Sequence, residues 1–147
     1  MTYDPERHHR RFPPDRYPIA AKPSRVGKYP GLVGSGGGYF YDEVLEYRVW
    51  IHPEAGGEDS ADGSDYFRAF ASFEEAARFS RRTRGAEPPV ALVLQREWID
   101  EPEPGKFIPR KGRRLTEWRV EWLPGRKRTK DSIAAFLKER GVCPRGE

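Results

Sequence analysis

A glycine run, Gly34-Ser35-Gly36-Gly37-Gly38, passes through Tyr39-Phe40-Tyr41 into a stretch of strict alternation, Val44 to His52. On an extended chain Leu45, Tyr47, Val49 and Ile51 share one face, and Val44, Glu46, Arg48, Trp50 and His52 the other. Pro53 ends the strand. Upstream, Pro5, Pro13, Pro14, Pro18, Pro23 and Pro30 recur. Each fixes φ and removes a backbone donor, which excludes a long helix or a central strand. The expected organisation is an extended Pro/Gly-rich arm over 1–38, one domain over 39–141 and a tail over 142–147. Within the arm, Tyr17-Pro18-Ile19-Ala20 has the apolar character to lie against the domain.

The segments that follow alternate in the same way. An acidic loop, Glu54 to Ser64, joins the first strand to a second, Asp65 to Ala71. Ser72-Phe73-Glu74-Glu75 has the form of a capping box, which predicts a helix start at Ser72. Gly85 is its expected C-terminal stop. Val90-Ala91-Leu92-Val93-Leu94 is apolar on both faces and reads as a central strand. Phe107-Ile108 reads as a short edge strand, Arg110-Lys111-Gly112-Arg113 as a turn, and Thr116 to Leu123 as a further strand. Ser132 to Arg140 reads as a last helix, capped by Thr129 or Asp131 and ended by Gly141. The expected fold is α+β: a mainly antiparallel sheet of about four to five strands with two helices, in ββαββα order behind the extended arm. Glu46-Tyr47-Arg48-Val49 and Glu117-Trp118-Arg119-Val120 echo each other, each placing aromatics on one face and Glu/Arg alternation on the other. That pattern suits a sheet covered by helices on one side.

Of the 147 residues, 36% are hydrophobic and 34% charged, so part of the chain stays outside any core. A 13% aromatic content supplies buried area for the remainder. The formal charge of +4 is unevenly placed. Basic residues gather over 106–130, and acidic ones over 54–65 and 100–103, which makes the molecule dipolar. The single cysteine, Cys143, forms no intrachain disulfide, and a reducing, cytoplasmic setting is expected. No apolar run reaches membrane-spanning length.

Several constellations bear chemistry. Glycine-rich loops hold phosphates where they open a helix, but this run opens a strand, so it reads as a hinge or turn. His52 stands at a strand end near carboxylates, as a proton carrier or a hydrogen-bonded surface histidine. The carboxylates of 54–65 miss the fixed spacing of a calcium loop, and no metal site is expected. Gln95 to Pro104 carries carboxylates and an indole to the end of the central strand. Glu97 is there a candidate base, with Trp98 and Asp100 as candidate ligand contacts. Arg48 and Arg119 are candidate ligand-binding cations. The 106–130 region interleaves Phe107, Trp118 and Trp122 with Arg113, Arg114, Arg126, Lys127 and Arg128. This is the composition that single-stranded nucleic-acid binding uses. An acidic protein is the other partner such a region fits.

Gly37-Gly38-Tyr39-Phe40-Tyr41-Asp42, Glu46-Tyr47-Arg48-Val49-Trp50 and Arg96-Glu97-Trp98-Ile99-Asp100-Glu101-Pro102 resemble a group of short bacterial proteins identified as GNAT-type N-acetyltransferases. The resemblance implies acetyl-CoA as donor and an amine as acceptor. Under it, Tyr41, His52 or Glu97 would supply acid/base chemistry near the sheet end. The pyrophosphate loop of that family, Gln/Arg-x-x-Gly-x-Gly/Ala, has no counterpart here; Arg82-Thr83-Arg84-Gly85-Ala86 comes nearest, at a helix end. The alternative expectation is a non-catalytic module that binds a protein or nucleic acid through charged patches.

Overall fold

The computed structural model describes residues 17–34 and 36–142. Residues 1–16 of the expected arm, Ser35 of the glycine run, Cys143 and the rest of the tail lie outside the described residues.

Among the described residues the architecture is α+β, with a four-stranded antiparallel sheet and two α-helices. The strands are β1 (Glu43–Ile51), β2 (Tyr66–Phe70), β3 (Val90–Glu103) and β4 (Lys106–Arg119). The helices are α1 (Phe73–Arg82), between β2 and β3, and α2 (Ser132–Glu139), after β4. The sheet order is β2-β1-β3-β4. Among the described residues no helix is long and apolar enough to cross a membrane.

Two readings of the strands are corrected. The expected edge strand at Phe107-Ile108, turn at 110–113 and strand from Thr116 are one continuous β4. The reversal occurs instead at Pro104-Gly105, where Gly105 adopts φ 83°. What imitates a turn around Gly112 is a register shift opposite Gln95 and Glu97, so a β-bulge stood behind the glycine and charge signal. The second correction concerns β1. A bulge between Val44 and Glu46 returns Val44 to the face of Tyr47 and Val49 and sends Leu45 to the opposite one. Beyond Arg119 the chain tightens into a 3-10 turn, Val120–Trp122, so the strand ends earlier than the alternation suggests.

The main core lies on one face. Val44, Tyr47, Val49, Ala91, Val93 and Trp118 pack there with Ala76 of α1, Leu123 and Tyr17. The opposite face is also covered, and not by a helix. The later part of the arm, residues 27–34, runs across it and brings Tyr29 and Val33 onto Leu45, Leu92 and Leu94. The one-sided covering expected from the alternation is therefore replaced by a helical layer and an arm layer. Polar side chains hold the arm. Gly27 donates its amide to Glu46 Oε1 (2.7 Å), and Arg48 donates to the carbonyls of Pro30 and Gly31.

α2 packs apart from the main core. Phe136 and Leu137 meet Ile99, with Tyr39, Phe40 and Phe107 around them. The β3–β4 ribbon and the segment after the glycine run are thereby joined at one end of the sheet.

Candidate functional site

An open cleft of about 440 Å³ lies at that end, lined by Gly36, Gly37, Gly38 and Tyr39 on one side. Ile99, Asp100 and Glu101 of β3, Arg114 and Trp118 of β4, and Trp122 and Arg126 beyond it complete the wall. The glycine run, read above as a hinge, is part of the cleft.

Gln95 builds this wall. It leaves the apolar half of β3 fully buried, where an amide must find partners or destabilise the fold. Its Nε2 donates to the carbonyls of Gly37 (2.7 Å) and Phe40 (2.8 Å). Its Oε1 accepts from Arg114 Nε (2.9 Å) and Thr116 Oγ1 (2.8 Å). One side chain thus locks the glycine run to β4. Gly38 is required there: at φ 71°, an added Cβ would stand 2.8 Å from Gln95 Nε2 and 2.9 Å from Arg114 Nη2. Its carbonyl accepts from Ile99 N (2.8 Å), which holds the run beside β3. Tyr39 follows at φ 70°, unusual for a residue with a side chain. Its hydroxyl donates to Glu101 and its ring rests 4.6 Å from that of Phe136.

The electrostatics follow from these contacts. Burial draws the Arg114 guanidinium below its ordinary range, while Asp100 opposes this. The guanidinium stacks 4.9 Å from the Trp98 ring. The hydrogen bond to Glu101 raises Tyr39, and the same bond, followed by the Gly105 amide, lowers Glu101. Asp100 is met by Arg110 at 3.3 Å. Both carboxylates of the cleft are therefore engaged, whereas Arg126 makes no ion pair among the described residues. Trp122 stands 39% exposed, edge-on to the buried Trp118 at 6.1 Å. Trp118 Nε1 is buried without a hydrogen-bond partner among the described residues, at a residue that lines the cleft. Gln95 and Tyr39 carry the site, and neither was a sequence candidate. The available signal for Gln95 was an amide directly after five apolar strand residues.

The structure does not bring Tyr41, His52 and Glu97 together. Tyr41 is 4% exposed and packs against Trp118, with its hydroxyl pKa raised by burial. Glu97 pairs with Arg128 (2.9 Å), which also holds Asp42 (2.7 Å). His52 lies at the opposite end of β1 from both. Asp100 lines the cleft and pairs with Arg110, whereas Trp98 is not part of the lining and stacks on Arg114. Arg48, expected as a ligand contact, has no exposed surface. It is enclosed by Glu46 (2.7 Å), Glu117 (3.1 Å), the arm carbonyls and the Phe67 ring. Its function is to hold the arm. Arg119 pairs with Glu121 (2.8 Å) on the surface. Of the basic residues, Arg114 and Arg126 face the cleft, Arg128 is tied to carboxylates, and Arg113 and Lys127 are exposed. No family model, curated protein or solved structure matches this chain.

Proposed function

We propose that the protein is a non-catalytic binding module whose cleft takes single-stranded nucleic acid. The observation that carries this reading is one wall combining an exposed indole, Trp122, with Arg126, a cation that makes no ion pair among the described residues, beside Arg114 and the glycine backbone. A base stacks on an indole whatever its sequence, and a phosphate is met by a guanidinium. Exposed Lys106, Arg110, Lys111 and Arg113 extend the positive surface along β4. The non-catalytic part rests on the polar groups of the cleft. Glu101, Asp100 and Tyr39 are bound to one another or to neighbours, and the acid/base candidates stand elsewhere.

Fluorescence anisotropy with a labelled oligonucleotide tests the reading. Affinity is expected to fall steeply with salt, because phosphate contacts release counterions. Trp122→Ala is expected to weaken binding by about 1–3 kcal/mol, the contribution of one stacked base. Arg126→Ala is expected to reduce the salt slope by about one contact. Salt-insensitive binding, or none, removes the proposal. Acetyl-CoA belongs in the same assay. Saturable binding of acetyl-CoA with transfer to an amine supports the acyltransferase function implied by the resemblance instead.

A further inference from the structure

At the other end of β1, segments distant in sequence converge. His52 follows the last residue of the strand, and the 3-10 turn Pro53–Ala55 presents Glu54 beside it. Asp65 precedes β2, whose first residue Tyr66 pairs with Ile51. Glu87 joins them because its amide donates to the Trp50 carbonyl at 2.9 Å. One donor atom each from His52, Glu54 and Asp65 lies within 4.8 Å of the others. The imidazole Nδ1 stands 2.9 Å from Asp65 Oδ1, and its Nε2 lies against Glu87 Oε2.

We propose that this corner binds a first-row divalent cation of the zinc type, with His52, Glu54 and Asp65 as ligands and Glu87 orienting the imidazole from its far nitrogen. The donor set selects the class. Imidazole nitrogen suits zinc and its neighbours, whereas magnesium and calcium take oxygen alone. The two carboxylates neutralise the cation. Glu87 supplies a feature that a mere cluster of acids lacks. A metal-binding histidine gives its second N–H to a carboxylate, which fixes the tautomer and aims the other lone pair at the ion. Three protein ligands leave a coordination position for water or substrate. Asp65 is 46% exposed, so the cation has a path from solvent.

The corner is also rigid. His52 N donates to the Gly85 carbonyl (2.9 Å), and the His52 carbonyl accepts from Ala55 N and Gly57 N (3.0 Å each). A Cβ on Gly85 would come 2.5 Å from Gly57 N and 2.7 Å from His52 O, so the backbone closes around the histidine. Calcium-loop spacing failed along the sequence because these ligands come from separate segments and not from one loop. A bound cation joins the end of β1 to the start of β2.

A protonated imidazole between two carboxylates gives the same geometry without a metal, and titration calorimetry with zinc chloride near neutral pH separates the two. The expected result is one saturable zinc per chain, with a raised thermal midpoint. His52→Gln and Asp65→Asn lose that binding, while Glu87→Gln weakens it about ten- to a hundred-fold and keeps one site. Should either ligand variant unfold, as read by circular dichroism, Glu54→Gln carries the same test from an exposed turn. Cobalt(II) gives the wild type a visible absorption band that His52→Gln abolishes. No saturable zinc in the wild type overturns the proposal. So does zinc binding that survives His52→Gln, or equal competition from magnesium.

Discussion

Gln95 is the residue on which the candidate cleft depends. Replacing it with leucine keeps the volume and removes every polar contact. The carbonyls of Gly37 and Phe40 and the Thr116 hydroxyl then lose a partner. Each buried group left unpaired costs about 1–3 kcal/mol, so Gln95→Leu is expected to lower stability by several times the effect of an average substitution in urea denaturation. Gly38→Ala tests the same wall from the other side, through its positive φ and the close approach of Gln95 and Arg114. A loss of about 1–3 kcal/mol is expected. Tyr39→Phe reads out electrostatics. Glu101 is lowered in the folded state by the Tyr39 hydroxyl, so its contribution to stability is present above the ordinary carboxylate range. That contribution is lost as the pH falls through the lowered value. The variant is expected to move the Glu101 titration upward in a carboxyl NMR experiment. An unchanged titration would mean that the bond is not formed.

Among the elements, the arm and β4 depart furthest from what alternation and turn chemistry indicate. Over the described residues 17–34 the arm holds no α-helix and no strand of the sheet, in keeping with its prolines, but its docking depends on Glu46 and Arg48. On sequence alone those two are only a charged face. Their register partners and Glu117, far along the chain, turn that face into a buried network that also takes the Trp50 indole N–H at 2.9 Å. Removing one member of such a network leaves a buried charge, at a cost of about 3–5 kcal/mol. Arg48→Ala is therefore expected to destabilise strongly and to speed amide exchange at Gly27, which is held by Glu46. By contrast α1 was legible. Ser72 caps it, accepting from Glu75 N at 3.3 Å, because a capping box is local and needs no distant partner. Ser72→Ala is expected to cost about 1 kcal/mol. Expected caps on α2 fared differently: Asp131 makes no side-chain cap, and Ser132 Oγ instead accepts from Thr129 N at 2.8 Å.

Across the whole molecule, two features occupy opposite ends of β1. One end carries the cleft of Arg114, Trp122 and Arg126; the other carries His52 and its carboxylates. Of the acidic groups visible in the sequence, 54–65 lies at the His52 end but 100–103 lies at the cleft beside the basic region, so the composition of each end was hidden. Proximity there arises from strand pairing and from a buried glutamine, which no linear spacing encodes. The four tryptophans provide independent reporters, because Trp118 and Trp122 border the cleft, Trp98 lies beneath Arg114, and Trp50 is bonded to Glu117 within the arm clamp. Indole N–H signals followed by NMR while a single-stranded oligonucleotide is added test the central claim most directly. Saturable shifts at Trp122 and Trp118, with Trp50 unmoved, are the result this account predicts. Signals that stay in place at Trp122 and Trp118, or a response confined to Trp50, would contradict it.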